Sequence, residues 1–260
     1  MPVKNDFKRR FLPKLFRRSR HLIATHAPSS VIRRFYIDAF AEVRLRKEYH
    51  DRVLSFAQDK QSLKISKDWF SVNIPFWLSI IERSGLKDTD IKALEIGSWE
   101  GLSSFFILSE MPRAKLTCVD TWEGGDEHKD GQTPNYSKMK IVEQNFDENL
   151  STFADRLHKF KGTSFSFFNS APERSVYDFI YVDGSHHSDD VLVDALKCFE
   201  MLKVGGVMIF DDYFWRHYPR ATDNPAGAIN AFLRLKRGSL EIIRVYSQLA
   251  VRKTSDRYGQ

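Results

Sequence analysis

Cysteine is scarce in this chain: two in 260 residues, Cys118 and Cys198. Both fall inside apolar runs, and neither belongs to a Cys/His spacing. That excludes a disulfide frame and a zinc finger, and it is the usage expected of a reducing compartment. No run approaches the ~18 apolar residues needed to span a bilayer, and no secretory h-region is present. Acids are nearly missing from the first 34 residues, which hold ten Lys or Arg and only Asp6. With a whole-chain charge of +6, the remainder is therefore slightly acidic, at −3. The basic balance belongs to the N-terminus and not to the rest of the chain, so no nucleic-acid partner is expected. These absences point to the cytoplasm.

The length and the 42% hydrophobic content suit one α/β domain with an appendage. Phe7, Phe11 and Leu15 recur every four residues among basic residues, which predicts a short amphipathic helix that Pro13 should kink or end. Residues 4–20 suit peripheral contact with an anionic inner membrane surface, a partner groove or a presequence. The plainer alternative is a solvated extension that packs some aromatics on its own domain. Helices are expected over 33–60 and Asn73–Ser84, the latter capped by Gly85.

Strands and helices then alternate. Strands are expected at Ile91–Ile96, Lys115–Val119, His158–Lys161 with Phe165–Phe168, Asp178–Val182 and Val207–Phe210. Helices are expected at Gly101–Met111, Ser137–Phe153, Ser188–Leu202 and Ala226–Lys236, and a hairpin at Leu240–Tyr246 and Gln248–Lys253. This alternation argues for a doubly wound, mostly parallel sheet.

Two features carry chemistry. The turn Glu95-Ile96-Gly97-Ser98-Trp99-Glu100-Gly101 follows the first strand and opens a helix. Gly97 permits a tight turn and close approach of backbone to a ligand. The third glycine of a dinucleotide fingerprint is missing, and Glu95 would repel a pyrophosphate. A cation such as S-adenosylmethionine (SAM), which has a sulfonium and no phosphate, would not be repelled. Asp120 ends the second strand and is placed to accept ribose hydroxyls, while Gly162-Thr163-Ser164 would lie near the adenine.

The second feature is a pair of aspartate clusters, Asp183-Gly184-Ser185-His186 and Asp211-Asp212. Each follows an apolar run. Three carboxylates without cysteine suit Mg²⁺ or Mn²⁺ over zinc. Asp211 and Asp212 can both reach one ion only if the strand ends between them. His186 would be the base, with His187 the lesser candidate; Ser188-Asp189-Asp190 also reads simply as the start of a helix. Trp122, Tyr136, Tyr213, Phe214 and Trp215 would stack on an acceptor ring or pack in the core, and 124–136 with the N-terminal helices would form a lid.

The run EIGSWEGLSS, Glu95–Ser104, resembles the first motif of class I SAM-dependent methyltransferases. It is most similar to the subgroup of macrocin and macrolide-sugar O-methyltransferases. Cys118–Trp122, Lys161–Ser164, Asp178–His187 and Gly205–Asp212 extend the likeness in order, over roughly 68–253. The resemblance implies an α/β Rossmann-like seven-stranded sheet with helices on both faces, a terminal antiparallel hairpin and an N-terminal helical extension. The expected division is 1–67 for the extension and 68–260 for the methyltransferase domain. The resemblance implies that Glu95, Gly97, Ser98, Gly101, Ser103, Asp120, Thr121, Gly162, Ser164 and Asp183 surround SAM. Asp183, Asp211 and Asp212 would hold the metal, with His186 and Asp183 catalytic. The acceptor would be a sugar hydroxyl in a glycoside, polysaccharide or glycosylated metabolite. A catechol or phenol acceptor, a non-catalytic docking module and a homo-oligomer remain open at this level.

Overall fold

A computed structural model describes residues 3–125, 139–170 and 174–256. The chain begins with α1 (Val3–Ala24), α2 (Ser29–Glu48), α3 (His50–Asp59) and α4 (Ile74–Arg83). The sheet region then follows as β1 (Ile91–Ile96), α5 (Leu102–Glu110), β2 (Ala114–Asp120), α6 (Met139–Asn149), β3 (Leu157–Lys161), α7 (Ser164–Ser170), β4 (Tyr177–Val182), α8 (Ser188–Met201), β5 (Leu202–Phe210), α9 (Pro225–Leu235), β6 (Leu240–Val245) and β7 (Leu249–Lys253).

The seven strands lie in the order β3-β2-β1-β4-β5-β7-β6. β1 to β5 are parallel, and β7 runs antiparallel between β5 and β6. The expected sheet and terminal hairpin are both present. Strand order reverses between β1 and β4, and in such sheets the crevice beyond the carboxyl ends at that reversal receives ligands. The register Ile96↔Val119 and Ile96↔Val182 brings the residues after β1, β2 and β4 to one edge. Val182↔Phe210 adds the end of β5.

Two buried clusters cover the sheet faces. One holds Trp77 and Ile81 of α4, Phe106 of α5 and Phe146 of α6. The other holds Phe199 of α8 and Ile229 and Phe232 of α9, together with Leu22 of α1 and Val31 and Phe35 of α2. The N-terminal helices therefore share a core with the strands. Asp38 of α2, fully buried, receives Arg244 Nη1 (2.7 Å), the Val245 amide (2.8 Å) and Arg34 Nε (2.8 Å). Asn230 of α9 donates to the Thr25 carbonyl (3.1 Å).

Three expectations are corrected. The helix α1 continues through Pro13, so the lost backbone hydrogen bond does not end it. The helix expected over 33–60 divides at Tyr49, whose hydroxyl donates to Glu82 of α4 (2.6 Å). Phe165–Phe168 is not strand but part of α7: Phe167 and Phe168 are buried while Phe165 is exposed, and the Thr163 hydroxyl accepts the Ser166 amide (3.1 Å) as a cap.

Candidate active site

The turn after β1 is shaped by left-handed residues. Gly97 has φ +85°, Trp99 +47° and Gly101 +81°. Asp120 fastens this turn: its Oδ2 accepts the amides of Ser98 (2.7 Å) and Trp99 (2.8 Å), and its Oδ1 accepts that of Trp122 (2.7 Å). Glu100 Oε2 accepts the amide of Ser66 (2.6 Å), while its Oε1 accepts Asn145 of α6 (2.8 Å). The loop before α4 is thereby tied to the turn.

Gly97, Ser98, Thr121, Gly162, Ser164 and Asp183 all fall just beyond the carboxyl ends of β1 to β4. The Gly162 amide donates to the Asp120 carbonyl (2.9 Å), continuing the edge toward β3. Glu95 is placed differently from the expectation. It is fully buried between β1, β2 and α5, accepting Ser103 Oγ (2.6 Å), Ser104 Oγ and Cys118 Sγ (3.4 Å). Burial pushes its carboxyl up, and the serine hydroxyls oppose this. Glu95 and Ser103 thus anchor α5 to the sheet, with their side chains committed to each other rather than turned to a ligand.

Beyond β4 and β5 the acids separate into two roles. β5 ends at Phe210, one residue earlier than a break between the two aspartates. Asp212 adopts φ +53°, and its amide donates to Asp211 Oδ1 (2.7 Å). The two side chains diverge from there. Asp211 accepts the Tyr181 hydroxyl and Gln248 Nε2 (2.9 Å). Asp212 Oδ2 pairs with His186 Nε2 at 2.5 Å. One ligand atom each from Asp183, His186 and Asp212 lie within 4.8 Å of one another. The sequence grouped Asp211 with Asp183 and Asp212; the side chains that converge are Asp183, Asp212 and His186, with Asp211 beside them.

Burial, then the charges of Asp211 and Asp212, push the Asp183 carboxyl well above the usual range. Asp211 is pushed up to about 6, by burial first and Asp212 second. The Tyr181 phenol, raised by burial and both acids, stays protonated and bridges Asp183 (3.0 Å) and Asp211. Crowded, desolvated carboxylates of this kind are relieved by a cation. The carboxylate oxygens of Asp183 and Asp212 suit Mg²⁺ or Mn²⁺, with His186 beside them, so the residues fit such an ion.

His186 stacks on Trp215 (4.4 Å, 19°). His187 instead stacks on Tyr218 (4.6 Å) and meets its hydroxyl at 3.0 Å, on the exposed side. Of the expected acceptor aromatics, Tyr213 is buried and donates to Asn230 (2.7 Å). Trp122 is buried against Phe146 (4.9 Å), with its Nε1 donating to the Trp99 carbonyl (2.8 Å). Only Phe214 and Trp215 reach the cleft, while Tyr136 and most of the expected lid, 126–136, lie outside the described residues.

The cleft is a cavity of about 260 Å³ beside Asp211 and Asp212. Its other walls come from Arg17, Arg18 and His21 of α1, from Trp69 and Asn73, and from Ser247 of the hairpin turn. The sequence expected the N-terminal helices to close over the acceptor without naming Arg17, Arg18, His21, Trp69 or Ser247. The basic spacing of α1 was visible, but which side faces the sheet depends on anchors such as His21 Nε2 to the Tyr213 carbonyl (3.3 Å). Also missed was Asp194 of α8, buried, with an Oδ1 that has no hydrogen-bond partner.

Residues 94–213 match a family model described as a methyltransferase domain. Residues 94–213 therefore resemble a methyltransferase domain, and the fold around them is the Rossmann-like α/β fold of the solved structures below. No curated protein matches the chain in sequence. Similar solved structures include MycE from the mycinamycin biosynthetic pathway, in complex with Mg, SAH and mycinamycin VI. It has a TM-score of 0.52 and 15% identity over 75% of this chain and 52% of that one. The SAH-bound methyltransferase PaMTH1 of Podospora anserina has a TM-score of 0.52 and 15% identity, over 85% of this chain and 96% of that one. The SAM-bound O-methyltransferase TomG of Streptomyces achromogenes, involved in tomaymycin synthesis, has a TM-score of 0.52 and 14% identity, over 78% and 89%. Likeness at these identities is likeness of fold. The chain spans about half the length of MycE. Among the described residues, no helix is long and apolar enough to cross a membrane.

Proposed function

We propose that this protein is a SAM-dependent methyltransferase, specifically a divalent-cation-dependent O-methyltransferase acting on a sugar hydroxyl. The observation that carries the reading is the convergence of Asp183, His186 and Asp212 within 4.8 Å, one strand from the Gly97 turn. The aromatic and polar cavity beside them supports a sugar-sized acceptor.

When bound, SAM supplies a methyl carbon on a positively charged sulfur, which becomes a neutral thioether once the methyl group leaves. Mg²⁺ or Mn²⁺ held by Asp183 and Asp212 would supply Lewis acidity that lowers the pKa of the acceptor hydroxyl. His186 takes the hydroxyl proton as the oxygen bonds to carbon. Asp212, paired with Nε2, steadies the imidazolium that results. Tyr181 and Gln248 hold Asp211 away from this pair. Trp215 fixes the ring plane of His186.

Calorimetry with S-adenosylhomocysteine (SAH), the demethylated product, tests the cofactor half: no heat and no thermal shift would sink the enzyme reading. Turnover with and without chelator on glycoside and catechol panels tests the acceptor half. Activity that persists in excess chelator, or that is confined to catechols, would refute it.

A surface observation favours peripheral membrane contact as well. Leu12, Phe16 and Ile23 of α1 are 58%, 66% and 70% exposed, and Phe40 of α2 is 69% exposed, among Arg17, Arg20 and Arg33. Apolar side chains framed by basic ones suit an anionic lipid surface. Co-sedimentation with anionic vesicles should fall in a Phe16→Glu, Phe40→Glu variant; equal sedimentation would end the idea.

A further inference from the structure

The cavity has charge of both signs on its walls. Arg17, Arg18 and Arg216 line the same space as Asp211 and Asp212. The acids are not the partners of these arginines: Asp211 is engaged by Tyr181, Gln248 and the Asp212 amide, and Asp212 by His186.

Arg18 is the informative one. Its guanidinium carbon lies 4.7 Å from the centre of the Phe214 ring and 4.5 Å from that of Tyr246. Those rings hold it in place without neutralising it. Among the described residues it makes no ion pair, and its Nη1 is buried with no hydrogen-bond partner. Tyr246, which also hydrogen-bonds the Arg18 guanidinium, and then Glu42 favour its charge, and the Glu42 carboxylate is already engaged by the Tyr246 hydroxyl and by Arg46 Nε (2.9 Å). A desolvated guanidinium with an empty donor is costly unless a ligand supplies the acceptor. The planar fork of arginine matches a carboxylate or phosphate.

We propose that the acceptor is an anionic sugar, a single ring bearing a carboxylate or phosphate that sits against Arg18 while its hydroxyl faces Asp212 and His186. The inference rests on the methyltransferase reading above and deepens it. The cavity of about 260 Å³ lies just below the ~300–1,000 Å³ of drug-sized sites, which suits one ring. Arg17 and Arg216, both exposed, draw the anion in from solvent, whereas Arg18 fixes its position. Burial lowers the pKa of Arg18 below its ordinary value, a penalty that a bound anion reverses.

The test is calorimetry on the full chain saturated with SAH and Mg²⁺. The probes are methyl glucoside, glucuronate, glucose 6-phosphate and inorganic phosphate. One of the two anionic sugars is expected to bind at least about tenfold more tightly than the neutral glucoside. The carboxylate and phosphate arms tell the two anions apart. In Arg18→Gln the ratio should fall to near one while SAH affinity stays. If Arg18→Gln does not fold, the Arg17→Gln, Arg216→Gln double variant should lower the ratio instead. Four results overturn the inference: equal binding of neutral and anionic sugars, binding of no sugar while SAH still binds, inorganic phosphate binding as tightly as the sugar phosphate, or a preference that survives the substitutions. Loss of SAH binding in the unaltered protein would strike the methyltransferase reading itself, which separates the two failures.

Discussion

Gly97 rests directly on the backbone of Asp183: a Cβ at Gly97 would lie 1.9 Å from the Asp183 carbonyl oxygen. The turn that would face the cofactor and the carboxylate that would face the cation are therefore one packed unit. The Asp183 amide also donates to the Ile96 carbonyl at 2.7 Å.

Gly97→Ala is accordingly expected to disturb both halves. The residue has φ +85°, and the new methyl group meets backbone, which cannot rotate away. The loss should be about 3 kcal/mol or more, read by denaturant unfolding, with SAH affinity falling alongside. A variant of unchanged stability and affinity would show that the contact is not as close as described.

His186→Ala should lower kcat by about 10²–10⁴-fold, the range for a general base, while calorimetric SAH affinity is kept. His187→Ala, which removes an exposed ring stacked on Tyr218, should leave kcat within about twofold. The reverse pattern would exchange the two roles.

Asp38→Ala should destabilise the protein by about 3–5 kcal/mol, because it strands Arg244 in the core. Arg244 also donates to Ser79 (2.6 Å), so α2, α4 and β6 loosen together. Thermal unfolding measures this. A shift no larger than that of an exposed pair such as Arg113–Asp90 would contradict it.

Asp194 carries a pH signature. Burial raises its pKa from 3.8 to about 6, with Asp190 adding to the shift and the Ser164 hydroxyl opposing it. The folded state then holds the proton more tightly than the unfolded state. Stability falls as pH rises from roughly 4 to roughly 6, and the penalty is full above that. At about 1.4 kcal/mol per unit the penalty is about 3 kcal/mol. Asp194→Asn should therefore raise Tm near pH 7.5 and change it little near pH 4. A gain that is the same at both values would count against the assignment.

Much of the fold is legible from local pattern. Ile91–Ile96 is strand as expected because an apolar run bounded by turn residues has few alternatives in a βαβ alternation. Gly97 and Gly101 signal left-handed turns by residue type alone. Phe165–Phe168 misled because a short aromatic run carries no length to separate strand from helix; the Thr163 cap decides it. Asp211 and Asp212 were both visible as acids at a strand end, and nothing in their order says which turns inward. The partner that claims Asp211, Gln248, lies 37 residues away on the hairpin.

The sequence alone determined the α/β class, the seven-strand alternation and the edge where chemistry gathers, since these follow from periodicity, turn residues and the carboxyl ends of strands. Tertiary structure decided the rest. It turned Glu95 inward to serine hydroxyls, set Asp211 apart from the converging Asp183, His186 and Asp212, and brought Arg18 over the cavity. Each of those outcomes depends on which distant group satisfies a buried charge or hydrogen bond, and that pairing exists only once the chain has packed.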